Sequence, residues 1–527
     1  MSHRIFAALI LAAAIAGGGR SFAQAGKFDL LIRNAHVVDG NGNPWIRADV
    51  GVTGDRIQAV GNLTNATAPK IIDAAGLVVT PGFIDVHSHS GPGLATEGLK
   101  NGQPILAQGI TTVLINPDGG GPTDLAAQRV RYTKQGIGLN VGLMVPQGSV
   151  RQAVMGMSDR EPDSEQIAKM VDLVRQGMRA GAFGLSSGLY YAPGSYSKTD
   201  EVVALARMAA QFGGVYSSHI RDEADYSIGL IAAAQEVITI AEQAGLIGVV
   251  SHMKALGPAS HGLSMALVER IEAARARGVQ VYSDQYPYNA SGTGIVGALM
   301  PRWAQVGGRD AMLRRIRGDE RKKILEEVRE NLARRGGPAT LFVSRYQPDP
   351  SLEGHHLAEL SEKAGKPADE YALDLLVRGD ASLVSFNMSE RDIELIMRQT
   401  WNMTSTDGDL VPMGQGKPHP RAYGAFVRKL RLYVKERGVV DLPFAIRSMT
   451  SLPAQVFALK DRGQVRPGAF ADLLVFDPAQ VNDPATYQEP HQLSEGMVHI
   501  LVNGVLVREN NKFTGELPGR VLTPERR

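Results

Sequence analysis

Apolar and polar residues are arranged differently at the two ends of the chain and in its middle. Near both ends, short stretches alternate partly between apolar and polar residues and are separated by turn residues, which predicts strands joined by hairpins. Asn503 and Gly504 provide the turn of one such hairpin. The two ends together, residues 26–80 and 456–527, are predicted to form one small β-sandwich-like domain. The predicted strands lie at 28–32, 48–52, 56–60, 471–476 and 500–507.

The middle of the chain, residues 81–455, alternates between short apolar runs and helical stretches. Repeated units of this kind predict a parallel sheet covered by helices, and seven or more of them favour a (β/α)8 TIM barrel. The fold class is therefore α/β. Either 382–386 or 403–406 could supply the last barrel strand. The other apolar runs lie at 77–79, 111–115, 141–145, 182–185, 215–217, 249–251 and 279–282.

Residues from about 290 to 350 interrupt this alternation and predict an insertion in the barrel. Within it, residues 314–335 are highly charged, with both signs mixed. Mixed charge of this kind favours a solvated amphipathic helix over a surface that binds nucleic acid. The insertion could cover a site at the end of the barrel.

The first 25 residues have the pattern of a secretory signal peptide. His3 and Arg4 give a positive start, residues 5–16 are an apolar run too short to span a bilayer, and an A-x-A motif ends at Ala25. We expect cleavage after Ala25 and a periplasmic or secreted protein without a membrane anchor. A buried N-terminal helix is the alternative interpretation.

Composition narrows the chemistry that is available to the chain. It contains no cysteine, so disulfides, thiolate metal ligands and a cysteine nucleophile are all excluded. A bound metal would have to be held by nitrogen and oxygen ligands. The formal net charge of +2 gives no reason to expect nucleic acid or an acidic membrane as a partner.

Histidine and aspartate residues follow several predicted barrel strands directly. His87 and His89 form an H-x-H pair on extended chain, so both imidazoles point the same way. His219, His252 and Asp407 follow three later strands. Each residue alone could belong to the core or cap a turn. In a parallel barrel, however, the carboxyl ends of all strands meet at one face, so the set predicts a metal-dependent active site.

These motifs resemble the amidohydrolase superfamily, and more narrowly its D-aminoacylase (N-acyl-D-amino-acid deacylase) branch. The resemblance covers nearly the whole mature chain. It implies a zinc enzyme, with one or two ions, that hydrolyses the amide bond of N-acyl amino acids, of D configuration in this branch. Manganese, cobalt or iron would also suit nitrogen and oxygen ligands. The segments that carry the resemblance are 81–89, 181–189, 218–223, 251–254, 286–288, 419–421 and 468–477.

The chain departs from the resembling families at two places. Many superfamily members bridge two metals with a carboxylated lysine on strand 4, but residues 182–188 contain neither lysine nor glutamate. The D-aminoacylase branch uses a cysteine after strand 2, and Asp118 stands at the matching position here. A carboxylate can bind and bridge zinc, so Asp118 is a predicted metal ligand. Alternatively, Asp118 only caps the turn formed with Gly119–Gly121.

The resemblance assigns roles to the remaining candidates. One metal would be held by His219, His252 and Asp118, and a second by His87 and His89. Asp407 would act as general base and then as general acid toward the departing amine. Family substrates carry a free carboxylate, which basic and tyrosine side chains would bind. For each basic residue, the alternative explanation is an ion pair or a structural role. The candidate carboxylate-binding residues are Lys254, Arg421, Tyr190, Tyr191, Tyr282 and Tyr286.

Three rival functions remain open from the sequence. A metal-dependent hydrolase of cyclic amides or dipeptides would use the same barrel. A serine hydrolase would use Ser186, which stands in a G-x-S-x-G motif but lacks the helix that should follow it. An exported binding protein without catalysis is the third. Of the other histidines, His355 and His356 are predicted at the surface, and His261 could line the mouth of the site. The oligomeric state stays open.

Overall fold

The computed structural model describes residues 26–525, so the predicted signal peptide lies outside the described residues. In chain order the strands are β1 (Leu30–Val37), β2 (Ile46–Thr53), β3 (Arg56–Gly61), β4 (Lys70–Asp73), β5 (Val78–Pro81), β6 (Phe83–Asp85), β7 (Ile110–Ile115), β8 (Asn140–Leu143), β9 (Val145–Pro146), β10 (Gly184–Gly188), β11 (Val215–His219), β12 (Ile247–Val250), β13 (Val281–Gln285), β14 (Ser291–Gly294), β15 (Leu341–Arg345), β16 (Ser382–Ser385), β17 (Asn402–Thr404), β18 (Leu473–Phe476), β19 (Met497–Val502), β20 (Val505–Glu509) and β21 (Lys512–Phe513).

The α-helices are α1 (Gly91–Leu94), α2 (Gln103–Leu106), α3 (Leu125–Gln135), α4 (Gln147–Met155), α5 (Ser164–Arg179), α6 (Thr199–Ala210), α7 (Leu230–Ala244), α8 (Ser264–Ala276), α9 (Ile295–Leu299), α10 (Gly308–Arg317), α11 (Arg321–Arg334), α12 (Leu357–Lys363), α13 (Ala368–Arg378), α14 (Glu390–Met397), α15 (Arg421–Arg428), α16 (Leu442–Met449) and α17 (Ser451–Val456). A π-helix over Lys429–Glu436 continues α15. No helix within residues 26–525 is long and apolar enough to cross a membrane.

Eight parallel strand positions form the predicted TIM barrel. Strands β6, β7 and β8 pair in that order, and a second sheet runs β9-β10-β11-β12-β13-β17. Strands β8 and β9 are one strand position interrupted at Met144. The barrel closes between its first and last strands, where the Asp407 amide donates to the His87 carbonyl (2.9 Å) and the His89 amide donates to the Gly408 carbonyl (3.0 Å).

The last barrel strand is β17, so the second of the two candidate segments occupies this position. Strand β17 pairs in parallel with β13, with Ser283 opposite Asn402. The rival segment, β16, instead pairs antiparallel with β14 and β15. Both segments are short, and the pairing partner of each strand depends on the path of the chain between them.

Nine strands from the two ends of the described chain form one continuous sheet. Its order is β21-β20-β19-β18-β5-β1-β2-β3, with β4 beside β1. Strands β5 and β18 join the N-terminal and C-terminal parts, since Val79 pairs with Val475. The predicted hairpin is present as β19 and β20, with Asn503 in the left-handed region at φ 48°. The sheet is therefore built from both ends of the described chain.

The inserted region contains a three-stranded antiparallel sheet, β14-β16-β15, covered by helices α9 to α13. Because β16 belongs to this sheet, the inserted region continues past residue 350 to about Ser385. It has its own apolar core, which includes Leu299, Ile316 and Leu373. The charged segment forms two helices, α10 and α11, rather than one.

The barrel interior is filled by side chains that precede the strand ends. Ile84, Leu114, Phe183, Val249 and Met403 come from five different strand positions and pack together. A larger apolar cluster lies between the strands and the surrounding helices. The carboxyl ends of the strands are consequently supported by a packed core, which lets them hold polar side chains rigidly.

Candidate active site

All six predicted metal-binding and catalytic residues meet at the carboxyl ends of the barrel strands. His87 and His89 follow β6, Asp118 follows β7, His219 ends β11, His252 follows β12, and Asp407 follows β17. A cavity of about 960 Å³ opens over these strand ends. Five of the six line it directly, and the sixth, His87, lies 1% exposed behind them.

The carboxylate of Asp118 lies at the centre of this group. Its Oδ1 is 3.2 Å from His87 Nε2, and its Oδ2 is 3.3 Å from His89 Nε2. The same Oδ1 lies 3.7 Å from His219 Nδ1 and 3.6 Å from His252 Nε2. Within the described chain no backbone amide of Gly119–Gly121 bonds to this carboxylate, so its neighbours are histidines and not the turn.

Asp407 faces the first two histidines and a buried arginine. Its Oδ1 is 3.1 Å from His89 Nε2 and 3.6 Å from His87 Nε2, while its Oδ2 is 2.7 Å from Arg421 Nη1. The ion pair of Arg421 is thus with the predicted catalytic carboxylate, and it is buried. The pairing holds one oxygen of Asp407 and directs the other toward the histidines.

The donor atoms form two overlapping groups that fit divalent cations. In each group the ligand atoms lie within 4.8 Å of one another; one contains His87, His89, Asp118 and Asp407, and the other contains Asp118, His219 and His252. Within residues 26–525, both ring nitrogens of His87 and of His219, and Asp118 Oδ1, are buried without a hydrogen-bond partner. Buried polar atoms normally have partners, so these atoms fit metal coordination.

Three of the six residues have left-handed backbone conformations, with φ of 54° at Asp118, 34° at His252 and 49° at Asp407. Such conformations cost non-glycine residues about 1–3 kcal/mol each and cluster at functional sites. Gly188 supports the first of them by close approach, since a Cβ there would lie 2.2 Å from the Asp118 carbonyl oxygen. The backbone is therefore shaped to bring these side chains together.

Glu223 is a residue of this site that sequence reasoning missed. Its Oε1 is 3.2 Å from His252 Nδ1 and 3.7 Å from His219 Nε2, the ring nitrogens that face away from Asp118. The same oxygen contacts the Lys254 ammonium. A carboxylate behind a ligand histidine orients its ring and raises its basicity. The only signal in the sequence was an acidic residue four positions after His219.

Charges around the carboxylates keep them ionised despite burial. Burial alone would raise the pKa of Asp407, but the Arg421 guanidinium and His252 hold it below its usual value. The pKa of Asp118 is likewise lowered, because His87, His219 and His252 outweigh the effect of burial. Asp85 behaves differently: burial raises its pKa to about 6, and hydrogen bonds from Thr406 offset burial only in part.

Five of the six candidate carboxylate-binding residues line the cavity: Lys254, Arg421, Tyr190, Tyr191 and Tyr286. Tyr282 lies elsewhere, on β13 with Arg275 stacked over its ring at 4.8 Å. His419 positions Arg421, because its Nδ1 accepts a hydrogen bond from the Arg421 amide (3.0 Å). The inserted sheet also reaches this point, since a Cβ on Gly292 would lie 3.4 Å from Arg421 Nη2.

The competing candidates lie away from the strand-end group. Ser186 Oγ donates to the Asn116 carbonyl (2.6 Å), and β10 leads into a loop rather than a helix. This geometry is not that of a nucleophile elbow. His261 Nε2 bonds to the Asn387 carbonyl and is not among the residues that line the cavity. His355 pairs with Glu359 at a partly exposed position, and His356 packs against Phe342.

Comparison with known proteins identifies the family. Residues 70–508 match the model of the amidohydrolase family. A D-aminoacylase from Alcaligenes xylosoxydans xylosoxydans is 33% identical over 518 residues, which cover 94% of this chain and 97% of that protein. The chain belongs to the amidohydrolase family, in its D-aminoacylase branch. The family and the fold predicted from the sequence are therefore confirmed.

Solved structures match this amidohydrolase along nearly its whole length. An N-acyl-D-glutamate deacylase from Bordetella bronchiseptica, complexed with zinc and a phosphonate inhibitor, is 32% identical with a TM-score of 0.81, covering 94% of this chain and 99% of that one. A D-aminoacylase described with a binuclear metal centre is 32% identical with a TM-score of 0.80, covering 94% and 100%. The two donor groups of this amidohydrolase therefore occur in a fold whose relatives bind metal.

Proposed function

We propose that this amidohydrolase hydrolyses the amide bond of N-acyl-D-amino acids to a carboxylate and a free amino acid. The observation that carries the proposal is the pair of His/Asp groups sharing Asp118 at the mouth of the barrel. Similarity to D-aminoacylase supports the substrate class and the D configuration. The cavity of about 960 Å³ is large enough for a small amide with a free carboxylate.

Zinc is the metal we propose, in one or two ions. His219, His252 and Asp118 would hold one ion, and His87, His89 and Asp118 with Asp407 nearby would hold the other. These are nitrogen and oxygen ligands, which suit zinc as well as manganese, cobalt or iron. When bound, such an ion makes water nucleophilic at neutral pH and polarises the scissile carbonyl.

Asp407 moves the proton in the proposed reaction. Arg421 holds its Oδ2, so Oδ1, which faces His87 and His89, accepts the proton from the attacking water. The same oxygen then returns the proton to the nitrogen of the departing amine. Because Arg421 and His252 keep this carboxylate ionised, it is ready to act as a base across the neutral range.

The free carboxylate of the substrate would bind between basic and tyrosine side chains. Arg421 and Lys254 each have a carboxylate partner within the site, Asp407 and Glu223. Both cations still have N–H groups available for a substrate, because guanidinium has five donors and ammonium has three. Tyr286 lies between them, with Arg421 4.7 Å and Lys254 5.7 Å from its ring centre.

The test is hydrolysis of matched N-acetyl-D- and N-acetyl-L-amino acids by the zinc-loaded protein, with a cyclic amide and a dipeptide in the same panel. We expect turnover of the D series and its loss after chelation. Turnover of only the cyclic amide or the dipeptide would be consistent with the metal-dependent chemistry but would contradict the proposed substrate class.

Two further results would contradict the proposal at the level of mechanism. Hydrolysis that survives chelation but is lost in Ser186→Ala would indicate a serine hydrolase. A protein that binds no metal and hydrolyses nothing in the panel would indicate a binding protein. Restoring activity with each of zinc, manganese and cobalt in turn would identify the ion that the site uses.

We also propose that the protein is exported to the periplasm or secreted after cleavage behind Ala25. The support is the charged, apolar and A-x-A order of residues 1–25. Mass spectrometry of protein expressed in a Gram-negative host should give a chain that begins at Gly26 in the periplasmic or extracellular fraction. An intact Met1 in the cytoplasmic fraction would overturn this proposal.

A further inference from the structure

The inserted region places a buried arginine on the wall of the active-site cavity. Arg335 directly follows α11, lines the cavity and is 2% exposed. Its Nη2 donates to the Tyr190 hydroxyl (3.2 Å), its Nη1 to Ser385 Oγ (3.0 Å) and its Nε to the Ala298 carbonyl (3.2 Å). All three partners are neutral oxygens.

Arg335 differs from the other buried cations of the cavity in having no acidic partner. Lys254 is paired with Glu223, and Arg421 with Asp407. Across residues 26–525, no carboxylate lies within ion-pair distance of Arg335. A buried charge is costly unless it is paired. Three of its five N–H donors are occupied, which leaves two for another group.

The position of Arg335 connects it to the reaction centre through one side chain. The Tyr190 ring centre lies 5.2 Å from that of His219, and the Tyr190 hydroxyl accepts the hydrogen bond from Arg335. A group bound at Arg335 would thus lie one tyrosine side chain away from the histidines. This separation suits a short chain that extends from the scissile amide.

We propose that Arg335 forms a subsite for a second anionic group of the substrate, beyond the free carboxylate bound at Lys254 and Arg421. The group is a carboxylate carried either by the amino acid side chain or by the far end of the acyl chain. Arginine offers a planar fork that matches a carboxylate through two hydrogen bonds. The inference rests on the proposed hydrolysis of N-acyl amino acids and specifies which of them this chain prefers.

The test compares charged and neutral isosteres on the zinc-loaded protein. N-acetyl-D-glutamate against N-acetyl-D-glutamine tests the side chain, and N-succinyl-D-alanine against N-succinamoyl-D-alanine tests the acyl chain. In at least one pair we expect kcat/KM to favour the charged member by at least about 30-fold, since loss of a buried, hydrogen-bonded charge pair costs about 2 kcal/mol or more. Arg335→Met should remove that preference, and Arg335→Lys should keep part of it.

Arg302→Met is the matched control. Arg302 stacks over the same Tyr190 ring at 4.2 Å and donates to the Tyr190 carbonyl, but it does not line the cavity. A merely structural role for Arg335 would lower kcat/KM for both members of a pair equally, as we expect for Arg302→Met. The inference would be overturned if the ratio of kcat/KM for the charged substrate to that for the neutral one were near one in both pairs for the wild type. It would also be overturned if Arg335→Met left this ratio unchanged.

Binding of the products separates this inference from the proposed function. Calorimetry with D-glutamate against D-glutamine, and with succinate against succinamate, measures the same preference without any turnover. If the wild-type protein hydrolyses none of the four substrates, the proposed function fails. The dissociation constants of the products for wild-type and Arg335→Met protein then still decide whether Arg335 selects an anion.

Discussion

The two histidine groups that share Asp118 are supported differently. His219 and His252 each have a second carboxylate, Glu223, beside the ring nitrogen that faces away from Asp118. Within residues 26–525, no carboxylate lies within ion-pair distance of His87 Nδ1, and the side chain of His89 is 33% exposed to the cavity. The second group is therefore oriented from behind, whereas the first is contacted by carboxylates only on the ligand side.

This difference predicts two metal sites of unequal affinity for zinc. A carboxylate behind a ligand histidine fixes the ring and commonly strengthens metal binding 10- to 100-fold. The position formed by His219, His252 and Asp118 should thus fill first, and the one formed by His87 and His89 should fill at higher zinc concentration. Zinc titration of the metal-free protein, followed by calorimetry, would reveal the two classes of site.

The largest expected effect comes from Asp118→Ala, which removes the carboxylate shared by both groups. Zinc content should fall at both positions, and kcat/KM should fall by more than about 10⁴-fold, because a catalytic metal contributes several kcal/mol to the transition state. Asp118→Cys is the control, since a thiolate also binds zinc. Full zinc content in Asp118→Ala would show that this carboxylate is not a ligand.

Asp407→Asn should separate chemistry from metal binding. The substitution removes the proposed base, so kcat should fall about 10²- to 10⁴-fold. The zinc ion held by His219 and His252 should remain, because Asp407 belongs to the other group. Asp409→Asn, at an exposed position on the cavity rim, is the matched control and should change kcat little. Wild-type kcat in Asp407→Asn would exclude the proposed base.

Glu223→Gln directly tests the difference in zinc affinity between the two histidine groups. The tighter zinc ion should bind about 10- to 100-fold more weakly, while the weaker one stays unchanged. Glu236→Gln is the control, because Glu236 is also buried and ion-paired, with Arg221, but contacts no histidine. Equal weakening of both zinc ions in Glu223→Gln would contradict the asymmetry between the two groups.

The smallest expected effect concerns Lys429, another buried lysine. Unlike Lys254, which pairs with Glu223, it has no carboxylate of residues 26–525 within ion-pair distance. Lys429 is 2% exposed and donates to Thr404 Oγ1 (2.8 Å) and Ser448 Oγ (2.7 Å), and burial lowers its pKa from 10.5 to about 7. Between these two values the unfolded chain binds more protons than the folded one. The free energy of unfolding should consequently rise with pH across this range, by up to about 1.4 kcal/mol per pH unit.

Urea unfolding between pH 7 and 9 would check this prediction. Lys429→Met should reduce the slope of the free energy of unfolding against pH, because it removes the titrating group. The exposed Lys435, on the same π-helix, provides the control variant Lys435→Met, whose slope should equal that of the wild type. Equal slopes in all three proteins would show that Lys429 does not titrate in this range.

Much of the fold could be predicted because its signals are local. The alternation of apolar runs and helices follows from the periods of strand and helix, and His219 and His252 stand where strands end. The choice between β16 and β17 could not be made locally, since both strands are only three or four residues long and too short for a clear period. Tyr282 was selected for its residue type, yet it lies on the strand before the cavity begins.

The sequence by itself determined which residue types stand at the strand ends of a barrel, and hence that a metal-dependent hydrolase was the function to test. Only the tertiary structure decided which atoms meet. Glu223 behind two histidines, Arg421 on Asp407 and Arg335 on the cavity wall involve residues in loops or at the ends of helices and strands. The hydrophobic period of a helix or strand does not predict contacts at these places. Such contacts join segments distant in the chain, and their geometry depends on the packing of all the elements between them.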